Sequence, residues 1–235
     1  MDRLDKTVAK QMNLSRSGAR QLIRSGAVEV NGKKIFAAEE QIDINSEELK
    51  ISGKTVTVRR YLYIMLNKPS GVLSAAKDPD CPTVVDLLPP ELSRRGLFPA
   101  GRLDKDTTGF VLITDDGAFA HDILSPSHHI DKTYTAKLDK PFDDDVINDF
   151  KSGMTLGGEK LLKAEIIPLN NECTIAEVVL RQGLYHQVKR MFKKHGITVV
   201  ELKRTKMGNL PLDKTLKSGE CRYIGENELK SIVAK

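Results

Sequence analysis

Cysteine is scarce in this sequence, and the side chains that usually bind metals are scattered. Cys81, Cys173 and Cys221 form no Cys-x-x-Cys pair, so the sequence predicts neither a disulfide framework nor a zinc site and suits a reducing cytosol. The histidines also lack the spacing of metal ligands: His121, His128, His129, His186 and His195. We therefore expect no metal site.

Long apolar runs are missing as well. No apolar run approaches the ~18 residues that a membrane span needs. The N-terminus, MDRLDKTVAK, is charged from its second residue, which argues against a secretory signal. The 235 residues are 40% hydrophobic and 29% charged, as in globular proteins. One or two domains of about 100–200 residues fit that length, and we expect a cytoplasmic protein without membrane contact.

Positive charge, in contrast, is in excess and clustered. The net charge is +5 at pH 7. Residues 1–34 hold eight Lys and Arg against three acids, and residues 181–206 hold eight against a single Glu. Two separate basic patches in an otherwise mixed sequence indicate a polyanionic partner.

Residues 1–58 form the first predicted unit, with two helices and a hairpin. Ser15 is a candidate N-cap for the second helix, and Gly26 is a candidate stop. The Asn-Gly pair at 31–32 is the strongest short signal for a hairpin turn, and two lysines follow it. The polar and basic joint SGKTVTVRR comes next, and we place the boundary to a second domain, residues 59–235, within it.

Three arginines of the second helix lie at i, i+4 and i+8 and share one helix face: Arg16, Arg20 and Arg24. Charges at helical spacing usually form a solvated face. This face, however, carries a single sign and has no acid at i±4 to pair with, and like charges at that spacing cost stability. A phosphate partner is therefore the favoured interpretation, with the solvated face as the alternative.

Residues 2–35 closely resemble the alpha-L RNA-binding domain, and the resemblance extends loosely to residue 58. In that family the second helix and the following turn face RNA phosphates. The resemblance thus implies RNA contacts by five side chains: Arg16, Arg20, Arg24, Lys33 and Lys34.

The second domain mixes strand and helix patterns without a regular βαβ repeat. Strand candidates are YLYIMLNKPSGVL, FVLI, YTAKL, AEIIPL and TIAEVVL, while AFAHDIL, DDVINDFKSG and YHQVKRMFKKHG have helical periodicity. We predict an α+β fold on a mixed, mainly antiparallel sheet with flanking helices.

The stretch AGRLDKDTTGFVLITDDG holds four aspartates around an apolar strand. Asp115 and Asp116 directly precede a glycine at the end of the strand, a pattern typical of turns. Asp106 could cap or brace the loop. Asp104, just before the strand, could brace its loop through backbone N–H groups or carry chemistry, and the local pattern leaves both open.

Five segments, in order, resemble the RsuA-type ribosomal RNA pseudouridine synthases. They are NKPSGVLS (67–74), GRLDKDTTGFVLITDDG (101–117), KTYTAKL (132–138), GLYHQVKRMF (183–192) and ELKRTKMGNLPLDKTLKSGECRYI (201–224). With the N-terminal module, the resemblance extends over nearly the whole chain. The resemblance implies a small alpha-L RNA-binding domain followed by a larger pseudouridine synthase catalytic domain that isomerises a uridine in ribosomal RNA.

Site roles follow from the same resemblance. It implies that Asp104 is the catalytic carboxylate, that Tyr134 stacks on the target uracil, and that Lys189 pairs with Asp104. A cation beside a carboxylate favours the ionised form. Leu184 departs from the family pattern, in which Arg is more common after that glycine, and this puts one RNA or structural contact in question.

The implied reaction is redox-neutral and consumes nothing, so we expect neither a cofactor nor a metal. The target base must be flipped out of paired RNA, and an aromatic face such as that of Tyr134 gives it a place to rest. Arg102 and Arg190 are candidates for binding the substrate, and Lys68 is a weaker candidate for a phosphate contact.

Three alternatives remain open at this point. The YHQVKRMF segment resembles the small-subunit branch, which favours 16S rRNA or a partly assembled small subunit as the partner of a monomeric enzyme. The first alternative is 23S rRNA as the target, and the second is a non-catalytic ribosome-assembly protein that binds RNA without turnover. The third is a metal-dependent RNA hydrolase, which would need four carboxylates to converge on one ion: Asp104, Asp106, Asp115 and Asp116.

Overall fold

In the computed structural model, residues 1–125 and 130–234 are described, and they divide into two compact units. The first unit comprises Met1–Leu62 and Pro89–Leu97, and the second comprises the other described residues from Tyr63 onward. The segment Pro89–Leu97 thus belongs to the first unit although the chain of the second unit flanks it on both sides. No sequence pattern indicates this return.

The first unit contains two helices and six short strands. Its elements are β1 (Asp2–Arg3), α1 (Leu4–Gln11), α2 (Arg16–Arg24), β2 (Val28–Val30), β3 (Lys33–Lys34), β4 (Gln41–Ile42), β5 (Leu49–Ile51), β6 (Lys54–Val56) and a 3-10 helix (Pro90–Leu92). Strand β1 pairs with β4, and the other four strands form an antiparallel sheet in the order β3-β2-β5-β6. The aliphatic core of this unit draws on both helices and on the strands: Leu4, Val8, Ala19, Ile23, Val28, Ile42, Leu49 and Ile51.

Local signals in the sequence explain how these elements begin and end. Ser15 starts α2, because its Oγ accepts a hydrogen bond from the backbone N–H of Gly18 at 3.0 Å. Gly26, with φ of +74°, follows the end of the helix. Asn31 and Gly32 have φ of +51° and +76° and form the two-residue turn between β2 and β3. The predicted cap, stop and hairpin are confirmed.

The second unit is built on one large sheet with flanking helices. Its elements are β7 (Tyr63–Lys68), β8 (Phe98–Pro99), β9 (Thr108–Thr114), α3 (Gly117–Leu124), β10 (Lys132–Leu138), α4 (Asp144–Ser152), β11 (Thr155–Leu156), β12 (Glu159–Lys160), β13 (Glu165–Pro168), β14 (Ile175–Leu180), α5 (Gln187–Lys194), β15 (Val199–Met207), β16 (Leu210–Pro211), β17 (Cys221–Tyr223) and α6 (Glu226–Val233). Strands β11 and β12 pair with each other, apart from the sheet.

The sheet has the order β13-β14-β10-β15-β9-β7-β17, with β16 paired to β15 and β8 to β9. Its pairs are antiparallel except for β15 with β9, which is parallel. The predicted α+β fold on a mixed, mainly antiparallel sheet is therefore confirmed. Strand β15, which the sequence pattern does not single out, lies between β10 and β9 and joins the two halves of the sheet.

Two apolar groups hold the helices of this unit. Side chains from α3, α6 and several strands share one buried cluster: Met65, Phe110, Leu112, Ile123, Met207, Ile224 and Ile232. Helix α5 is held by aromatic contacts, since the ring of Phe192 lies 5.1 Å from that of Phe150 and 6.3 Å from that of Phe142. Within the two described stretches, no helix is long and apolar enough to cross a membrane.

Candidate active site

The loop of residues 101–107, here called the Asp104 loop, is anchored to the segment that follows β7. Leu103 is buried, and its backbone N–H donates to Ser74 Oγ at 3.0 Å. The backbone N–H of Gly71 donates to the carbonyl oxygen of Lys105 at 2.8 Å. Two segments that stand out in the sequence, NKPSGVLS and GRLDKDTTGFVLITDDG, thus form one structure in which the first supports the second.

Lys68 is buried against the Asp104 loop. Its Nζ donates to the carbonyl oxygens of Pro69, Lys105 and Thr107 at 3.1, 3.0 and 2.8 Å. Burial lowers the pKa of Lys68 to about 8, although two nearby carboxylates act in the opposite direction. The candidate phosphate contact of Lys68 is therefore wrong, because its ammonium has no exposed surface and is used to brace the loop.

A close approach of β9 to β15 fixes the end of the Asp104 loop. Gly109 pairs with Arg204 in parallel register and has φ of +96°. A Cβ on Gly109 would collide with the carbonyl oxygen of Arg204, so only glycine fits there. The buried guanidinium of Arg204 also donates from Nε to the carbonyl oxygen of Phe110 at 2.7 Å. Gly109 therefore fixes the position at which the loop continues into β9.

Tyr134 and Asp104 line the same pocket. Tyr134 lies on β10, pairs with Val178 of β14 and Arg204 of β15, and is 7% exposed. The pocket lining includes the following side chains: Arg102, Asp104, Tyr134, Leu180, Leu184 and His186. The structure thus brings together residues that are 30 positions apart in the sequence.

Helix α5 presents Lys189 to two carboxylates. The buried side of α5 is formed by other residues: Gln187, Val188, Met191 and Phe192. Lys189 Nζ lies 3.3 Å from Asp104 Oδ2 and donates to Asp106 Oδ1 at 2.6 Å. The expected proximity of Lys189 to Asp104 is present, and Asp106 is a second, closer partner that the sequence pattern does not indicate.

The charges of these side chains influence each other. Burial acts to lower the pKa of Lys189, but the hydrogen bond to Asp106 and the charges of Asp104 and Asp106 outweigh it, so the pKa is raised. The same hydrogen bond is the main reason why the pKa of Asp106 lies below its usual range. Lys189 therefore stays positively charged at neutral pH, with two carboxylates beside it.

His186 is a pocket residue that the sequence analysis did not select. It precedes α5 in the left-handed backbone conformation, with φ of +49° and ψ of +35°. Its Nε2 lies 3.4 Å from Asp104 Oδ1. A sequence signal was available, because the helical pattern of YHQVKRMFKKHG places His186 three residues before Lys189, and positions three apart are neighbours on a helix surface.

The two candidate substrate-binding arginines lie in different surroundings. Arg102 is exposed and lines the pocket of Asp104. The guanidinium of Arg190 instead donates to the carbonyl oxygens of Tyr185 and Leu156, both at 3.4 Å. Arg102 can therefore meet a substrate directly, whereas Arg190 supports the turn before α5.

The remaining aspartates of the central stretch lie at the other end of β9. Asp116 caps α3 by accepting a hydrogen bond from the N–H of Phe119 at 3.0 Å, and the hydroxyl of Tyr63 donates to it at 2.6 Å. The seven residues of β9 span roughly 20 Å, which separates this end from Asp104. The four carboxylates of the hydrolase alternative therefore do not converge.

No other grouping of metal ligands emerges in the described part of the chain. There, no three His, Cys, Asp or Glu side chains are arranged so that they could hold a metal ion. The described cysteines are free thiols. His128 and His129 lie outside the described residues.

Two arginines of α2 are paired with a buried acid from α1. Arg16 Nη2 and Arg20 Nε donate to the carboxylate of Asp5 at 2.8 and 3.0 Å, and the Asp5 side chain has no exposed surface. Burial acts to raise the pKa of Asp5, but the hydrogen bonds from these arginines and from Arg3 hold it well below the usual range. The expectation of an unpaired stripe was wrong for Arg16 and Arg20, because their acid partner comes from another helix.

The other three residues for which RNA contacts are predicted have no acid partner among the residues that the structure describes. Arg24, Lys33 and Lys34 are exposed, and their side chains make no hydrogen bond or ion pair within the described part of the chain. The side chains of Arg16 and Arg20 remain about half exposed, at 46% and 47%. All five side chains therefore have surface that a phosphate could reach. Only Arg24, Lys33 and Lys34 could bind a phosphate without weakening an ion pair to an acid.

A larger cleft opens on the opposite face of the main sheet. Its volume is about 530 Å³, against about 60 Å³ for the pocket of Asp104. Thr133 lines the larger cleft and Tyr134 lines the smaller pocket, because successive residues of a strand point to opposite faces. None of the predicted site residues lines the larger cleft, whereas Arg102, Asp104 and Tyr134 line the smaller pocket.

Both units match known protein families. The family model for RNA pseudouridylate synthase matches residues 62–194, and the S4 domain model matches residues 2–57. The second match covers the segment for which the alpha-L RNA-binding module is predicted.

Relatives match over nearly the full length of the chain. The uncharacterized RNA pseudouridine synthase YtzG of Bacillus subtilis is 43% identical over 97% of this chain and 96% of its own. Ribosomal small subunit pseudouridine synthase A of Escherichia coli is 40% identical over 98% of this chain and 100% of its own. A crystal structure of a pseudouridylate synthase aligns with a TM-score of 0.69 and 36% identity, covering 99% of this chain and 100% of that one. The match to the family model over residues 62–194 and these relatives show that this chain belongs to the RNA pseudouridylate synthase family and carries an S4 domain over residues 2–57.

Proposed function

We propose that this protein isomerises one uridine of small-subunit ribosomal RNA to pseudouridine, with Asp104 as the catalytic carboxylate. The observation that carries the proposal is the position of Asp104, which shares a pocket with Tyr134 and lies 3.3 Å from Lys189. The small-subunit target is supported by the 40% identity to a relative named ribosomal small subunit pseudouridine synthase A.

The reaction changes how the base is attached to its sugar. The bond between N1 and C1′ breaks, the base turns, and C5 bonds to C1′; the proton lost from C5 is balanced by a proton gained at N1. Asp104 takes part as an ionised carboxylate, which can attack the sugar, attack the ring or remove a sugar proton. No oxidant, reductant or group donor is needed, so we propose that neither a cofactor nor a metal takes part.

Lys189 and Tyr134 support this step in different ways. The ammonium of Lys189 lies 3.3 Å from Asp104 Oδ2 and places a positive charge beside the reacting carboxylate. The ring of Tyr134 supplies a surface on which the flipped uracil rests while its bond to the sugar is broken. Arg102 binds a phosphate next to the flipped nucleotide, and Arg190 contributes to substrate binding through the turn that it holds.

The first unit binds RNA and brings the substrate to the pocket. We assign residues 1–58 to a separate alpha-L RNA-binding domain and residues 59–235 to the catalytic domain. Five basic side chains contact phosphates: Arg16, Arg20, Arg24, Lys33 and Lys34. Such contacts add affinity and orientation but carry little sequence information, so the choice of uridine is made at the pocket.

The setting of the reaction is the assembly of ribosomes in the cytoplasm. We propose that the protein acts as a monomer, on ribosomal RNA or on a partly assembled small subunit. A uridine of 23S rRNA is the less favoured target. A non-catalytic role in assembly is not supported, because Asp104, Tyr134 and Lys189 are all present around one pocket.

The test is a map of pseudouridines in ribosomal RNA from cells with and without this protein, read by carbodiimide labelling and primer extension. One signal lost from 16S rRNA, and formed again on a 16S transcript by the purified protein, is the expected result. A signal lost from 23S rRNA instead would identify the large subunit as the target. If no signal changes and the purified protein forms no pseudouridine on either transcript, the proposal is wrong.

A further inference from the structure

Tyr185 stands beside the pocket of Asp104 with its ring in solvent. It is 76% exposed, more than any other aromatic residue in the described part of the chain; Phe36 follows at 59%. Its hydroxyl has no hydrogen-bond partner among the described residues. A single exposed apolar side chain is common on protein surfaces, so exposure alone assigns no role to Tyr185.

The ring of Tyr185 is stacked on a residue of the pocket. Its centroid lies 3.9 Å from that of His186, and the two ring planes differ by 16°. His186 in turn lies 3.4 Å from Asp104, measured from Nε2 to Oδ1. The catalytic carboxylate, the imidazole and the phenol therefore follow one another from the pocket outward, and the outer face of Tyr185 is open.

The backbone that carries this pair of rings is held rigidly. His186 adopts the left-handed conformation, which is uncommon for a residue with a side chain and recurs at functional sites. The backbone N–H of Leu184 donates to Gln187 Oε1 at 3.1 Å, and that of Gln187 donates to the carbonyl oxygen of Leu184 at 3.2 Å. Arg190 donates to the carbonyl oxygen of Tyr185 at 3.4 Å. These hydrogen bonds hold the backbone of the turn, and the stacking on His186 orients the ring of Tyr185, so little ordering is needed when a ligand stacks on it.

The chemistry of the surroundings identifies the ligand. The exposed guanidinium of Arg102 on the pocket rim suits a polyanionic strand that enters the site. Unpaired bases of RNA stack on exposed aromatic rings, and every base offers a flat face for this. Tyr134 is 7% exposed inside the pocket and serves the reacting uracil, so a second ring outside the pocket suits a neighbouring base.

We propose that Tyr185, supported by His186, is a positioning residue on which the nucleobase next to the reacting uridine stacks. This inference rests on the proposed function, because it requires an RNA substrate at the pocket of Asp104. Removal of one base from the helix leaves its neighbour unstacked on one side, and the ring of Tyr185 replaces the lost stacking partner. The contact keeps the RNA strand open beside the pocket while the uridine reacts.

The test combines a change in Tyr185 with a change in the RNA. Small-subunit transcripts are assembled by splinted ligation so that the nucleotide on either side of the mapped uridine is natural or abasic. On the natural transcript, Tyr185→Leu is expected to raise KM about tenfold with a much smaller change in kcat, and Tyr185→Phe to stay within about twofold of the original protein. On the abasic transcript that lacks the stacked base, the original protein loses the same factor, and Tyr185→Leu adds no further loss.

Three other results would contradict either the inference or the proposed function. An equal rise in KM with Tyr185→Leu on natural and abasic transcripts would show that the ring supports the protein rather than the RNA, and would overturn the inference alone. An unchanged KM on the natural transcript would overturn it as well. A failure of the original protein to form pseudouridine both on the natural transcript and on a partly assembled small subunit would overturn the proposed function, and the inference with it.

Discussion

Lys189 Nζ lies 2.6 Å from Asp106 Oδ1, closer than to the carboxylate of Asp104 at 3.3 Å. The two carboxylates differ in their contact with water, since the side chain of Asp106 is 70% exposed and that of Asp104 is 26% exposed. Water screens the exposed pair strongly and the pocket pair less. Asp106 therefore fixes the position of the ammonium beside the less solvated carboxylate of Asp104.

Asp104→Asn should reduce pseudouridine formation to background, because the amide keeps the shape of the side chain but cannot act as an ionised carboxylate. RNA affinity and the thermal midpoint should change little. The matched control is Asp106→Asn, which removes a carboxylate from the same loop and the same lysine and should leave measurable turnover. Single-turnover rates at saturating RNA separate the two variants. Appreciable turnover by purified Asp104→Asn would remove Asp104 from the mechanism.

Lys189→Met should lower the rate and move the acid limb of the pH–rate profile to higher pH. The sign follows from Asp106: the hydrogen bond from Lys189 holds the pKa of this carboxyl below its usual range, so removal of the cation lets Asp106 take up a proton at higher pH. Lys189→Arg retains the charge and should leave the limb close to its original position. Rates measured between about pH 4 and pH 8 test this. An unchanged profile for Lys189→Met would mean that the ion pair does not control the reaction.

Sequence analysis anticipated the parts of the site that lie within continuous segments. The placement of Asp104 in a loop before a buried strand, and of Lys189 on a helix, followed from patterns that each span fewer than twenty residues. Contacts between segments that are distant in the sequence could not be predicted from such local patterns. Asp5 is eleven residues before Arg16, and no periodicity connects the two helices that bring them together.

The same limit explains the error about Lys68 and the lack of a strand prediction for β15. A lysine before a proline looks like a surface residue, and only the loop that covers Lys68 makes it a buried brace. Strand β15 alternates buried and charged residues irregularly, because a shift in its pairing with β10 lies between Thr133 and Tyr134. Pairing with strands from elsewhere in the chain, rather than local propensity, makes this segment a strand.

Lys68→Met should destabilise the second unit by about 1–3 kcal/mol at pH 7, because three carbonyl oxygens lose their donor. The loss should be larger at pH 10. The pKa of Lys68 is about 8 in the folded protein and near 10.5 when the chain is unfolded. Between these values the unfolded chain binds the proton that the folded protein has released, so rising pH favours folding of the original protein. Lys68→Met has no ionisable group at this position, so its stability does not rise with pH for this reason.

Urea unfolding of both proteins at pH 7 and pH 10 gives the comparison. Lys105→Met is a suitable control, since it removes an exposed lysine from the same loop and keeps the side chain of Lys68. If the difference in stability between the original protein and Lys68→Met became smaller as the pH rises, the pKa of Lys68 would not be lowered in the folded protein. Turnover should fall together with stability, because the loop that carries Asp104 loses its brace.

The five basic side chains for which phosphate contacts are proposed should not contribute equally to RNA binding. Replacement of the unpaired group, Arg24→Gln with Lys33→Gln and Lys34→Gln, should reduce the slope of log affinity against log salt by about 2–3, because each phosphate contact contributes roughly 0.7–0.9. Turnover at saturating RNA should be nearly retained, since none of these residues touches the pocket.

Arg16→Gln with Arg20→Gln should behave differently. Both guanidinium groups already donate to the buried carboxylate of Asp5, so a phosphate gains less from them, and their loss leaves that carboxylate with fewer partners. We expect a change in salt slope of less than about 1 together with a clear drop in the thermal midpoint of the first unit. Titrations of a 16S transcript at several salt concentrations, with melting curves of both variants, test this difference between the paired arginines and the three unpaired basic residues. If the triple variant kept its salt slope while the double variant lost it, the paired arginines would be the phosphate contacts, and Asp5 would serve to hold them in place for the RNA.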